Sequence, residues 1–352
     1  MKPKIISNYV PLLSSVADDF ITYLEPKTEI EDCLLEMKKF TTESVGLLSL
    51  TTKMNSFTDK PKYEMVSHLT EAFDLFHKAL YSQFKLFKYF RTPLYKRFEI
   101  EYRIINRIVD KMVEDRLKEI KEPNQRDLEA NEQNDFLLAL LSDSRITQQQ
   151  AHIIIRELFA GGIESTSNAL TFSLFELAKN MDKQDKLREE IMKACKEGLT
   201  KDALSNMHYL KSCVKETFRK KIWFITFYST KKCDSSNVRC IYHTPLFQTL
   251  IMAIPHSMLE NEEFFPNHDQ FIPERWLRSI DEEGIAYKRI YPFSHTPFGH
   301  GVRSCIGQRF GENQMYVALA KTYIFVPNNI VYFAMLDSVV CFDNSWRPPT
   351  DL

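Results

Sequence analysis

Hydrophobic residues recur at three- and four-residue intervals through most of the first 220 residues, which is the spacing of one face of an α-helix. Leu34, Leu35, Met37 and Phe40 follow this spacing, for example. The pattern predicts helices over Ile30–Leu50, Tyr63–Leu80, Phe98–Ile120, Ile146–Asn180, Asp182–Lys196 and Asn206–Lys220, with a polar surface connection over Lys121–Asn134.

The longest of these segments, Ile146–Asn180, is apolar on most sides, which predicts a helix that crosses the core with Thr147 as its N-cap. After residue 221 the pattern changes. Ile222–Thr230 is aromatic and β-branched, which predicts a strand, and Ile251–Ile254 predicts a second one. A last helix is predicted to begin near Cys305. The predicted fold class is therefore mainly α with a small β portion.

Composition narrows the class of protein. A formal net charge of −1 gives no electrostatic attraction to nucleic acid, and none is expected as a partner. Seven cysteines, spread without a pairing pattern, favour a reducing compartment over a disulfide framework. The chain shows neither a secretory signal nor an apolar run of about 18 residues. We expect it to be soluble or attached peripherally to a membrane.

Residues 298–307 carry the most specific chemical pattern, Phe-x-x-Gly-x-Arg-x-Cys-x-Gly. A cysteine where a helix begins can be held as a thiolate by free backbone N–H groups and the helix dipole. Glycines allow a tight turn around it. The alternative is one more buried structural cysteine. The typed positions of the pattern are Phe298, Gly301, Arg303, Cys305 and Gly307.

This pattern resembles the haem-ligand loop of the cytochrome P450 family of haem-thiolate monooxygenases. The resemblance implies that the cofactor is haem b (iron protoporphyrin IX) and that Cys305 ligates its iron. It also implies that Arg303 bonds a haem propionate and that Phe298 packs beside the sulfur. His295 and His300 are expected to belong to the loop without binding metal.

A second motif, Ala160-Gly-Gly-Ile-Glu-Ser-Thr-Ser167, lies on the long helix. Two glycines inside a helix cost roughly 1 kcal/mol each relative to alanine, so something should offset them. The alternative is a helix–helix contact through glycine. The motif resembles the distal motif of the family, which implies that the helix opens locally and that the haem lies between this helix and the cysteine loop. The residues implied are Gly161 and Gly162 beside the cofactor, and Glu164, Ser165 and Thr166 in proton delivery.

A third resemblance concerns a structural triad. Glu216 and Arg219 are three residues apart on a predicted helix and can therefore pair. Phe271–Trp276 resembles the Pro-Glu-Arg segment of the family, and its Arg275 is implied to complete a buried cluster. The order of all these motifs along the chain matches the family order.

Lys211 and Lys215 lie four apart on the same predicted helix, in a segment that resembles the mitochondrial class of the family. The resemblance implies that they dock an acidic ferredoxin at the matrix side of the mitochondrial inner membrane. A solvated lysine face is the alternative interpretation. The microsomal branch, with a flavoprotein reductase at the endoplasmic reticulum, is the alternative class.

The resemblance treats residues 1–352 as one partial haem-thiolate domain. It is poor over residues 220–247 and 322–352, and the anchor and first helices of the family are not recognised, which suggests a truncated or mis-spliced chain. The implied function is insertion of one atom of dioxygen into an apolar organic substrate (a steroid, sterol or xenobiotic). The alternatives are a catalytically inactive remnant that binds haem or a protein, and a helical interaction protein.

Overall fold

The computed structural model describes residues 9–27, 30–58, 60–80, 82, 86–121, 136–196, 198–221, 227–229, 251–253, 256–277 and 293–325. Its α-helices are α1 (Val10–Leu24), α2 (Cys33–Leu50), α3 (Met65–Leu80), α4 (Pro93–Lys121), α5 (Phe136–Leu141), α6 (Gln148–Lys179), α7 (Met181–Ala194), α8 (Lys201–Asn206), α9 (His208–Lys221), α10 (His256–Leu259) and α11 (Gln308–Phe325). Two short strands, β1 (Phe227–Ser229) and β2 (Ile251–Ala253), pair antiparallel with Tyr228 opposite Met252. The predicted mainly helical fold with a small β portion is confirmed.

The chain divides into two compact units, residues 1–211 with 306–352, and residues 212–305. In the first unit α6 is the central helix, and it packs against α2, α4, α7 and α11. Ile155, Phe159, Ile163 and Leu170 of α6 are fully buried, as the apolar pattern predicts. Thr147 caps this helix in a capping box with Gln150. The prediction that the long helix lies in the core is therefore confirmed.

Helix α2 is buried on nearly every side although its sequence contains many polar residues. Its hydroxyl groups bond to carbonyls one turn earlier in the same helix, as Ser44 does to Phe40 and Ser49 does to Val45. Such back-bonding satisfies a buried hydroxyl without a partner from another element. This is why a helix of mixed composition can lie against α6.

Helix α4 starts five residues before its predicted start at Phe98. Thr92 accepts a hydrogen bond from the backbone N–H of Tyr95, and Pro93 is the first helical residue. Proline is favoured at this position because its missing N–H would have no helical partner. The pair Thr92-Pro93 in the sequence indicates this earlier helix start. Helices α1, α5 and α8 were also not delimited from the sequence.

The second unit contains the last part of α9, the β1–β2 pair, the 3₁₀-helix Pro273–Trp276 and the cysteine loop. Both strands fall within the predicted strand segments. The poorly matching segments lie largely outside the described residues, as do residues 278–292 between Leu277 and the cysteine loop. Within the described residues, no helix has the length and apolar character needed to cross a membrane.

Candidate functional site

The loop before Cys305 is closed by backbone hydrogen bonds. The N–H of Cys305 donates to the carbonyl of Phe298 at 2.8 Å, and the N–H of Ser304 donates to the carbonyl of Gly301 at 3.1 Å. Gly301 has φ +77°, a conformation that other residues rarely adopt, and an added Cβ would meet nothing within 4 Å. The turn of the backbone at residue 301 therefore requires a glycine.

The loop presents its cysteine outward. Cys305 is an exposed free thiol, so the alternative of a buried structural cysteine is not what the structure contains. Val302 is fully exposed and Ile306 is 71% exposed, which leaves apolar surface beside the thiol. Arg303 is exposed, and among the described residues its guanidinium has no hydrogen-bond or ion-pair partner.

The loop is held by α9 within the second unit. The ring of Phe298 meets the ring of Phe218 edge to face, with the ring centroids 5.2 Å apart. His295 lies 4.5 Å from the ring of Trp276, and its ring hydrogen-bonds to the backbone of Lys215. Burial, reinforced by the positive charges of Lys215 and Arg219, lowers the pKa of His295 to about 3. His295 is thus a neutral packing residue of the loop, a role that the sequence did not predict.

The two glycines of α6 differ in their surroundings. A Cβ on Gly162 would lie 3.0 Å from Cγ2 of Val45 on α2, so this glycine permits a helix–helix contact, as the alternative interpretation of the motif proposed. A Cβ on Gly161 would meet nothing within 4 Å. Gly161 and Ser165, one turn apart, are both exposed, and they continue an exposed side of α6 that includes Ile153 and Glu157.

The expected local opening of the long helix is wrong, because α6 is continuous from Gln148 to Lys179. The hydroxyl of Ser165 donates a short hydrogen bond to the carbonyl of Gly161 within the helix. Thr41 of α2 donates to the carbonyl of Ile163 at 3.3 Å. Side-chain hydroxyls therefore engage these carbonyls while the backbone remains α-helical.

Glu164 and Thr166 lie on other sides of α6. One carboxylate oxygen of Glu164, Oε2, lies 3.0 Å from Nζ of Lys38, and Oε1 accepts from Asn168 at 3.3 Å. Thr166 is buried, and its hydroxyl lies 3.5 Å from where a Cβ on Gly311 of α11 would stand. The geometry therefore favours Ser165 over Thr166 as the exposed alcohol. Lys38 was not singled out from the sequence.

Glu216, Arg219 and Arg275 lie in contact in the core of the second unit. The carboxylate of Glu216 accepts from Arg219 at 2.9 and 3.1 Å and from Nε of Arg275 at 3.1 Å. It also accepts from the indole of Trp276 at 2.8 Å. All three charged residues are almost fully buried, and the remaining guanidinium donors bond to backbone carbonyls such as that of Leu259.

The two lysines of α9 differ in their environment. Nζ of Lys211 donates to the carbonyl of Ser205 at 2.6 Å within the first unit, and Lys211 is half-buried. Lys215, in the second unit, is exposed. The start of α9 is held by Glu190 of α7, whose carboxylate accepts from the N–H groups of Tyr209 and Leu210 at 2.8 Å each.

The mainly helical chain carries an outward-facing thiol on a closed loop, an arrangement that suits a haem-thiolate protein. The cytochrome P450 family model matches residues 1–322, and the chain belongs to this family. It is 30% identical over 338 residues to "Probable cytochrome P450 49a1" of Drosophila melanogaster, covering 92% of this chain and 56% of that protein.

Two further relatives are similar. The chain is 27% identical over 338 residues to "Probable cytochrome P450 12a5, mitochondrial" of Drosophila melanogaster, covering 91% of this chain and 62% of that protein. It is 26% identical over 340 residues to "1,25-dihydroxyvitamin D(3) 24-hydroxylase, mitochondrial" of Mus musculus, covering 94% of this chain and 62% of that protein. The chain thus spans 56% to 62% of the length of these relatives.

The cofactor of the family is haem b. The residues of the loop fit it, because an exposed thiol would be available to bind iron and the apolar surface beside it suits a porphyrin. Arg303 is a suitable cation for a propionate. Within the described part of the chain, no group of three or more His, Cys, Asp or Glu side chains could hold a metal ion.

Proposed function

We propose that this chain carries the haem-thiolate centre of a monooxygenase that inserts one atom of dioxygen into an apolar organic substrate, a steroid, sterol or xenobiotic. The observation that carries the proposal is the exposed thiol of Cys305 at the end of a loop closed by backbone hydrogen bonds. Family membership supports the same reaction class.

When bound, thiolate-ligated haem activates dioxygen, because the sulfur donates electron density that favours O–O cleavage. The proposed role of Cys305 is to supply that sulfur, and the Phe298–Phe218 contact keeps the loop in place around it. Arg303 is proposed to bind a propionate through charge-assisted hydrogen bonds. Gly301, with its positive φ, provides the backbone turn before Arg303, and Gly307 is proposed to lie beside the cofactor.

Proton delivery is proposed for Glu164 and Ser165. A carboxylate followed by a hydroxyl is a pair that can accept and donate protons in sequence. Gly161 leaves open space one turn before Ser165, and the contact of Gly162 with Val45 fixes the helix beside it. Thr166 is the weaker candidate for the alcohol because its hydroxyl faces α11.

A carbon monoxide difference spectrum of the reduced, haem-loaded chain tests the proposal. The wild-type protein should show the red-shifted Soret band of a thiolate-ligated haem, and Cys305→Ser should abolish it. Cys195→Ser is the matched control because Cys195 is also a free cysteine, and it should retain the band. Haem bound without this band in the wild-type protein would overturn the proposal.

Turnover then separates an active enzyme from an inactive remnant. Product should form from an apolar substrate when a ferredoxin and its reductase supply two electrons. A chain with the thiolate band that forms no product with any electron donor would be the inactive remnant.

The proposed redox partner is an acidic ferredoxin, and the proposed location is the matrix side of the mitochondrial inner membrane. The mitochondrial names of two relatives and the exposed Lys215 support this. A flavoprotein reductase at the endoplasmic reticulum is the alternative.

Ferredoxin binding measured at low and high salt tests the choice of partner. Lys215→Gln should weaken binding at low salt and reduce its salt dependence, because one charge pair is lost. Lys193→Gln, at an exposed lysine of α7, should leave binding unchanged. Equal binding of the two variants would contradict the role of Lys215.

A further inference from the structure

Lys38 of α2 is a buried lysine with two polar contacts. Its side chain is 5% exposed, and Nζ lies 3.0 Å from Oε2 of Glu164 and 2.9 Å from the hydroxyl of Thr70. Lysine is rarely buried to this extent unless its charge is compensated. The carboxylate of Glu164 supplies that compensation.

The pairing matters equally to Glu164, whose side chain is 14% exposed. Among the described residues, no donor makes an aligned hydrogen bond to Oε2, so the ammonium of Lys38 faces this oxygen as an ion pair. Oε1 has a long hydrogen bond of 3.3 Å from Asn168. The orientation of this carboxylate therefore depends mainly on Lys38.

The same face of α2 supports the neighbouring backbone of α6. Thr41, three residues after Lys38, bonds to the carbonyl of Ile163, and Val45, a further turn along, packs against Gly162. Residues at these spacings lie on one side of a helix. One face of α2 thus contacts three consecutive residues of α6, ending at Glu164.

We propose that Lys38 is a positioning residue for proton delivery: it holds the carboxylate of Glu164 in one rotamer, on the helix turn that also carries Ser165. This inference rests on the proposed function of Glu164. Lys38 belongs to a different helix from Glu164. It orients the carboxylate but does not itself contact the reacting groups. Loss of the ammonium would leave Glu164 free to take other rotamers.

The first test is a cycle of urea unfolding on the full chain with Lys38→Met, Glu164→Gln and the double variant. Lys38→Met should lower the urea midpoint because it leaves a carboxylate without its counter-charge. The double variant should recover most of that loss, since both charges are then removed. Strictly additive effects would show that the ion pair does not form and would overturn the proposal.

The second test measures how electrons divide between substrate oxidation and hydrogen peroxide. Lys38→Met should lower product per electron several-fold and raise peroxide, while spectral binding of the substrate stays unchanged. Lys38→Arg should restore much of the product yield, because the charge is kept. Lys39→Met is the matched control, since Lys39 is the next residue but pairs with Glu36, and it should behave as the wild type.

The outcomes separate the two proposals. A wild-type chain without the thiolate band would overturn the proposed function and this role with it. A wild-type chain with the band, whose product yield is unaffected by Lys38→Met, would overturn the role of Lys38 alone.

Discussion

Nε of Arg275 lies 3.1 Å from Oε1 of Glu216, although 59 residues separate the two in the chain. The contact joins the 3₁₀-helix Pro273–Trp276 to α9 within the second unit. Both side chains are about 1% exposed or less. A buried carboxylate compensated by two guanidinium groups fixes one arrangement of these segments.

Replacing Arg275 with methionine should therefore lower the free energy of unfolding by about 3–5 kcal/mol, because the carboxylate of Glu216 loses a buried counter-charge. Chemical denaturation measures the change. Arg97→Met removes a surface ion pair with Glu71 and should cost less than about 1 kcal/mol. If both variants lost a comparable free energy of unfolding, burial would not strengthen the ion pairs of the triad.

Replacing each of the two glycines of α6 with alanine should change the free energy of unfolding differently. Gly161→Ala gains helix propensity and meets nothing within 4 Å, so it should raise the free energy of unfolding by up to about 1 kcal/mol. Gly162→Ala places a methyl group 3.0 Å from Val45 and should be less stable than Gly161→Ala. Adding Val45→Ala should restore space for the methyl group at residue 162. The packing explanation fails if Gly162→Ala is as stable as Gly161→Ala.

His295 should make unfolding depend on pH. Its folded pKa of about 3 lies below the ordinary value of 6.5, so below pH 6.5 the unfolded state binds a proton that the folded state does not. The free energy of unfolding should fall as pH drops from 6.5 toward 3 by up to about 1.4 kcal/mol per pH unit, and this contribution is constant above 6.5.

Urea unfolding from about pH 6.5 to 4.5 measures this slope. His295→Gln should make it shallower by up to one proton, whereas His268→Gln, at a half-buried histidine outside the loop, should leave it closer to wild type. An unchanged slope in His295→Gln would mean that the histidine is accessible to protons in the folded state.

The start of α9 should depend on Glu190. Glu190→Ala removes the acceptor for two backbone N–H groups and should lower the free energy of unfolding by about 2 kcal/mol. Glu189→Ala is the matched control, because Glu189 is exposed on the same helix, and it should change stability by less than about 0.5 kcal/mol. Amide hydrogen exchange at Tyr209 and Leu210 should rise in the first variant alone.

Local patterns in the sequence predicted much of the fold. The apolar spacing predicted the core helix α6, and Thr147 before it predicted the N-cap. Both predictions succeed because caps and amphipathic faces depend on residues within a few positions. The turn that carries Cys305 was likewise predicted from neighbouring residues, since a tight turn needs glycines at fixed offsets. Helix α1 was missed although its apolar face is buried.

Contacts between segments far apart in the chain could not be predicted from local sequence patterns. Arg275 was assigned to the triad only through resemblance, and neither the pairing of Lys38 with Glu164 nor the burial of His295 was predicted. A lysine on a helix has the same appearance in the sequence whether it faces solvent or a carboxylate on another helix.

By itself, then, the sequence determined most of the longer helices, the cysteine turn and the family, because these follow from residue types at short, fixed spacings. Tertiary structure decided which glycine is a packing contact, which hydroxyl of the distal motif is exposed, and which cation faces Glu164. The physical reason is that burial and charge pairing depend on which helix faces are brought together, and that is set by packing across the whole unit.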